Sequence, residues 1–121
     1  MFLKNLKLTN FRNFAQIDLD FGKVTLLVGN NAQGKSNLLE SIYFLATSKS
    51  PRADKDIQLI KEGEEFLRVS GQIMDDETEL EIFMQKAGRQ QRMEKRTRVN
   101  GVGRRITDYS GLIRIPAPDI F

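Results

Sequence analysis

Residues 29 to 36 read Gly29-Asn30-Asn31-Ala32-Gln33-Gly34-Lys35-Ser36, the spacing G-x-x-x-x-G-K-S. A loop of this composition binds polyphosphate. Its glycines let the backbone adopt conformations closed to other residues and approach phosphate oxygens closely. The loop N–H groups can then point inward, assisted by the positive end of a following helix. Lys35 would bring a point charge to the β- and γ-phosphates, and Ser36 would place its hydroxyl on Mg2+. The P-loop motif requires a strand before it and a helix after it, so the flanks decide whether the chemistry is available.

Both flanks are present. Val24-Thr25-Leu26-Leu27-Val28 is an apolar run that predicts a buried strand, with a turn into it at Gly22. Residues 36 to 46 predict a helix with Leu38, Leu39, Ile42, Leu45 and Ala46 as its core stripe. Asn37 and Glu40 fall elsewhere on the wheel. Pro51 disfavours further helix, so residues 47 to 52 read as a loop. Before the motif, residues 2 to 9 predict a strand with Leu6 and Leu8 on one face. Residues 17 to 21 predict its partner, through a turn near Phe11-Arg12-Asn13-Phe14. After it, strands are expected over 66 to 74 and 77 to 85, separated by a turn at Asp75-Asp76. Leu80, Ile82 and Met84 share one face of the second. A turn at Ala87-Gly88 leads to a basic strand closed by Asn100-Gly101, a strong hairpin signal. A short helix over 106 to 112 and a strand at Ile113-Arg114-Ile115, stopped by Pro116 and Pro118, complete the pattern. The fold class is therefore α/β: a P-loop core of three strands and one main helix over residues 1–53, followed by an antiparallel β meander over 54–121.

Composition narrows the chemistry. With neither Cys nor His among 121 residues, a disulfide framework, a thiolate metal site and a histidine base are excluded. No apolar run approaches the roughly 18 residues of a membrane span, and the N-terminus lacks signal-peptide character, so a soluble cytoplasmic protein is expected. The net charge of +3 hides an asymmetry. Residues 54 to 81 carry ten carboxylates against three basic residues, and residues 86 to 105 carry eight basic residues against one acid. The basic stretch, with Arg89, Arg92, Lys95 and Arg96 at its centre, suits a polyanion partner. It equally suits a solvated strand whose charges pair with the acidic strand opposite. No aromatic residue interrupts it to stack on bases.

Several segments together resemble the RecF family, which is built on an ABC-type ATPase head akin to SMC-like proteins. They are Leu8-Thr9-Asn10-Phe11-Arg12-Asn13-Phe14, the P-loop with Asn37, Leu38-Leu39-Glu40-Ser41-Ile42-Tyr43-Phe44-Leu45, Lys49-Ser50-Pro51-Arg52, Val99-Asn100-Gly101 and Pro118-Asp119-Ile120. The resemblance runs end to end in order. It implies a bacterial cytoplasmic protein that binds ATP and Mg2+, dimerises with ATP sandwiched between two heads, and binds DNA at single/double-strand junctions. With RecR and RecO it would load RecA at gaps coated by single-strand-binding protein. By the match of motifs Arg12 would lie near the phosphates, with the alternative of a surface turn residue. Asn31, Gln33 and Asn37 would line or brace the P-loop, and Arg52 would face DNA or the partner head, with the alternative of a loop cation. Two segments depart from the family pattern: Pro51 stands where an aromatic or His is usual, and Pro116-Ala117-Pro118-Asp119-Ile120-Phe121 leaves the position of a metal- or water-directed carboxylate open. No Walker B carboxylate pair and no signature motif of the Leu-Ser-x-Gly-Gln type occur. The reading is the N-terminal lobe of a longer weak ATPase, itself inactive alone. Two alternatives remain: another SMC-like or ABC-type head, and a nucleic-acid-binding module with an idle P-loop.

Overall fold

The computed structural model describes residues 3–20, 32–50, 55–73, 78–88 and 92–104; for 32–35 and 104 it describes the backbone alone. The expected strand at 24–28, the turn at Gly22, Asp75-Asp76, and everything expected beyond residue 104 lie outside the described residues.

Strand formation follows the period-two alternation. β1 (Asn5–Phe11) turns Leu6 and Leu8 inward, and β2 (Phe14–Asp20) sets Leu19 and Ile17 directly across from them. The expected bounds shift, and pairing explains the shift. Leu3 bridges to Ile73 rather than joining the hairpin ladder, and the ladder runs to the pair Phe11 and Phe14 at the tip. β3 (Phe66–Gln72) and β4 (Glu79–Ala87) follow, then β5 (Arg92–Val99) and β6 (Val102–Arg104). All neighbouring strands are antiparallel, in the order β2-β1-β3-β4-β5-β6. β3 to β6 form the expected meander, and β3 pairs with β1, so hairpin and meander share one sheet. At the last turn Asn100 and Gly101 both have positive φ, 53° and 79°, as an Asn-Gly hairpin turn requires.

One helix packs on the sheet. α1 (Ala32–Thr47) begins earlier than expected and carries residues 34 to 36 in its first turns. Leu38, Phe44, Leu45 and Ala46 are buried against Leu6, Leu8, Phe11, Leu67, Val69, Leu80, Ile82 and Met84. Burial of each large aliphatic side chain contributes about 1.5–3 kcal/mol, so this face carries much of the stability. Leu39 and Ile42, expected in the core stripe, are only half-buried, while Phe44, stacked 6.1 Å from Phe11, takes the central place. Asn37 and Glu40 are buried as well, because each has a polar partner on the β1–β2 turn. The helix ends at Ser48, whose φ of 62° reverses the chain and whose N–H still donates to Phe44 O at 2.7 Å. A short 3₁₀ turn, Asp56–Leu59, leads back toward the hairpin tip.

Candidate nucleotide site

The β1–β2 turn brings the chemistry together. Asn10 and Arg12 both have positive φ, 56° and 54°. Asn tolerates that conformation, but at Arg12 it costs about 1–3 kcal/mol unless the surroundings hold it. They do so at several points. Arg12 N–H donates to Leu59 O at 2.7 Å, and Lys61 N–H donates to Asn10 O at 2.8 Å. Phe11 forms an isolated bridge with Ile60. Arg12 Nε lies 2.8 Å from Glu40 Oε1, and its Nη2 lies 2.9 Å from Glu40 Oε2. Glu40 is completely buried and Arg12 is 24% exposed. The hydrogen bond to Glu40, reinforced by its charge, raises the Arg12 pKa above the usual guanidinium range against the opposing effect of burial.

Beside this pair Asn37 Nδ2 donates to Asn13 Oδ1 at 2.8 Å. An open cleft of about 510 Å³ lies between the hairpin tip, with Arg12 and Asn13, Asn37 of α1, and Gln58, Ile60 and Lys61. Asn37 is in the second turn of α1, so the cleft flanks the first turns of the P-loop helix.

The structure therefore brings Arg12 and Asn37 to the same place and puts Gly34, Lys35 and Ser36 on the adjoining helix turns. Ser36 is half-buried. Of Ala32, Gln33, Gly34 and Lys35 only the backbone is described, and Gly29, Asn30, Asn31, Arg52 and Arg89 lie outside the described residues. Sequence reasoning missed Glu40, Ser50, Asn13 and Lys61. The available signal for Glu40 was a single charge inside the otherwise apolar stretch from Leu38 to Leu45.

The basic strand divides by face. Arg92, Arg96 and Arg98 are exposed on the outer face of β5. Arg98 lies 3.9 Å from Glu81, as does Arg68 of β3. Arg96 is in register with Phe83, which also packs on Phe66 at 5.8 Å and beneath Arg68 at 5.3 Å. Aromatic rings absent from the basic stretch itself are thus supplied by neighbouring strands. Lys95 belongs to the inner face. Its Nζ donates to Ser48 O at 2.8 Å, pairs with Asp56 at 2.8 Å and lies 5.4 Å over the Phe44 ring.

A family model described as AAA ATPase domain matches residues 1–93. The DNA replication and repair protein RecF of Clostridium acetobutylicum is 49% identical over 88 residues, covering 69% of this chain and 24% of that protein. RecF of Pediococcus pentosaceus is 41% identical over 119 residues, covering 95% and 30%. A solved structure of the recombination mediator protein RecF with ATP, from the RecFOR pathway, matches with a TM-score of 0.80 and 34% identity, covering 98% of this chain and 33% of that one. The chain thus spans about a quarter to a third of the length of the proteins it matches.

Proposed function

The chain belongs to the AAA ATPase domain family, and from that premise we propose that it is the ATP-binding part of a RecF-like DNA repair and recombination mediator. The observation that carries the reading is the joint placement of Gly34, Lys35 and Ser36 at the start of α1 and of Arg12 and Asn37 on the cleft beside it. The loop N–H groups and the helix N-terminus would receive the phosphates, with Lys35 on the β- and γ-phosphates. Ile60 and the polar groups of the cleft would take the nucleoside. Among the described residues no cluster of three metal-ligating side chains occurs. Mg2+ binds through few protein ligands and keeps phosphate oxygens and waters. Ser36 would hold it, and the ion would neutralise phosphate charge.

In the longer protein, ATP would bridge two heads and its hydrolysis would reset the dimer. RecO- and RecR-like partners would fit the RecFOR pathway named for the matching structure, and the RecA-loading role is carried by the family resemblance alone. Arg96, in register with Phe83, and Arg92, exposed on the same face of β5, favour DNA on the outer sheet face, with Arg52 and Arg89 as further candidates. The same face would serve the second reading, a DNA-binding module with an idle P-loop.

Calorimetry of Mg-ATP and Mg-GTP with the chain, wild type against Lys35→Ala, tests the first reading. ATP binding lost with Lys35 supports it. Salt-steep DNA binding with no nucleotide binding would replace it with the second.

A further inference from the structure

Glu40 stands four residues after Ser36 in the P-loop helix, and its side chain is fully buried. A carboxylate in that position is tolerated only when paired and hydrogen-bonded. Among the described residues its partners include groups from two other parts of the chain. Both its oxygens accept from the Nε and Nη2 edge of Arg12, and Ser50, in the segment following α1, donates its hydroxyl to Oε2 at 2.6 Å.

The geometry of the Arg12 contact is informative. A guanidinium has five N–H groups. Glu40 engages one on Nε and one on Nη2, which leaves three: one on Nη2 and two on Nη1, with the Nη1/Nη2 edge open. Arg12 is partly exposed, and it lines the cleft. A guanidinium fixed on one edge loses little further freedom when the other edge binds a ligand.

We propose that Glu40 is a positioning residue for the nucleotide site: it locks Arg12 so that its free edge donates to a phosphate oxygen of the bound nucleotide, and through Ser50 it ties that placement to the segment after α1. The proposal rests on the ATP-binding reading above. In this proposal Glu40 influences the nucleotide by holding Arg12 and does not itself contact it.

The test is Mg-ATP affinity of the full chain by calorimetry, with melting midpoints recorded for every variant. The variants are Arg12→Ala, Glu40→Gln, their combination, Arg12→Lys, and Lys35→Ala as reference. Glu40→Gln keeps the side-chain size and removes the charge. Arg12→Ala and Glu40→Gln should each weaken binding roughly tenfold, the loss of one charge-assisted hydrogen bond. The combined variant should be no weaker than Arg12→Ala, because Glu40 has nothing left to position. A residue with a purely structural role would lower the melting midpoint and weaken binding equally with or without Arg12. Arg12→Lys should behave like Arg12→Ala, since an ammonium cannot be held on one edge and donate from another; it decides the question if Glu40→Gln does not fold. Wild-type affinity in folded Glu40→Gln or in Arg12→Lys, or equal losses from Glu40→Gln in both backgrounds, overturns the proposal while leaving ATP binding intact. A wild-type chain that binds no Mg-ATP, or whose binding ignores Lys35→Ala, overturns the ATP reading and this proposal together.

Discussion

Replacing Lys95 by methionine separates two roles that a basic strand can have. The Lys95 side chain is 17% exposed, and its ammonium reaches the C-terminal end of α1. It donates to Ser48 O at 2.8 Å, a charged hydrogen bond at a helix end, worth about 1.5–3 kcal/mol. The pair with Asp56, itself 39% exposed, adds only about 0.2–1 kcal/mol because water screens it. Methionine preserves the apolar stem against Phe44 and Met84, so the change removes charge with little loss of packing. These contributions are not additive, and a net loss of about 2–3 kcal/mol is expected. For a domain of this size that lowers Tm by about 10 °C. The assay is thermal unfolding by circular dichroism, paired with fluorescence anisotropy on duplex and single-stranded DNA below the transition. Lys95→Met should melt early and bind DNA as the wild type does. Arg92→Ala and Arg96→Ala, on the solvent face, should melt within about 0.5 kcal/mol of the wild type and carry any loss of DNA affinity. A Lys95→Met chain that melts with the wild type and loses DNA affinity like the arginine variants would refute the placement of Lys95 on the inner face.

Three further outcomes follow from individual positions. A Cβ on Gly71 would lie 2.6 Å from Asn5 O and 3.2 Å from Leu45 Cδ2. Gly71→Ala should therefore cost about 1–3 kcal/mol in urea unfolding, whereas Gly103→Ala, with open space around it, should cost far less; equal costs would contradict the close approach of β3, β1 and α1. Ser48 holds φ 62° with its Oγ buried and unpartnered, so Ser48→Gly should stabilise the chain by about 1 kcal/mol, and a lowered Tm would count against the helix end described here. Arg12 has a raised pKa, so its contribution is complete below the ordinary guanidinium range and is lost only as pH rises through the still higher folded value. With Glu40 also neutralised, so that no buried carboxylate is left unpaired, the Tm difference between wild type and the Arg12→Met, Glu40→Gln double variant should stay constant from about pH 7 to 10, and a difference that shrinks over that interval would show another group to be titrating.

What the sequence revealed and what it concealed divide along physical lines. Alternation placed Leu6 with Leu8 and Leu80 with Ile82 and Met84 on buried faces, because a one-residue slip would turn every one of them to water. Asn100-Gly101 announced its turn because few residues accept positive φ twice in succession. These signals are local. The adjacency of β1 and β3 is not, since it joins residues such as Leu8 and Val69 across most of the chain. Glu40 was hidden for the same reason. On a helical wheel a carboxylate reads as solvent-facing, and only the fold shows that Arg12, 28 residues earlier, reaches it from a turn. Lys95 was read by its charge, while its position on the odd-numbered face of β5, in register with Met84, determined where that charge went. The glycine-rich motif at residues 29 to 36 was legible from its residues; the burial of Glu40 and its pairing with Arg12 were not.

The leading reading and the role proposed for Glu40 both depend on ATP binding at the start of α1 and in the adjoining cleft. Amide and arginine Nε chemical shifts of isotopically labelled chain, followed as Mg-ATP is added, would locate the nucleotide residue by residue. The largest changes are expected at residues 29 to 37 and at Arg12, Asn13, Ile60 and Lys61, and they should disappear in Lys35→Ala. Saturable changes confined to β5 and β6, or changes at the cleft that persist unaltered in Lys35→Ala, would contradict ATP binding at this site.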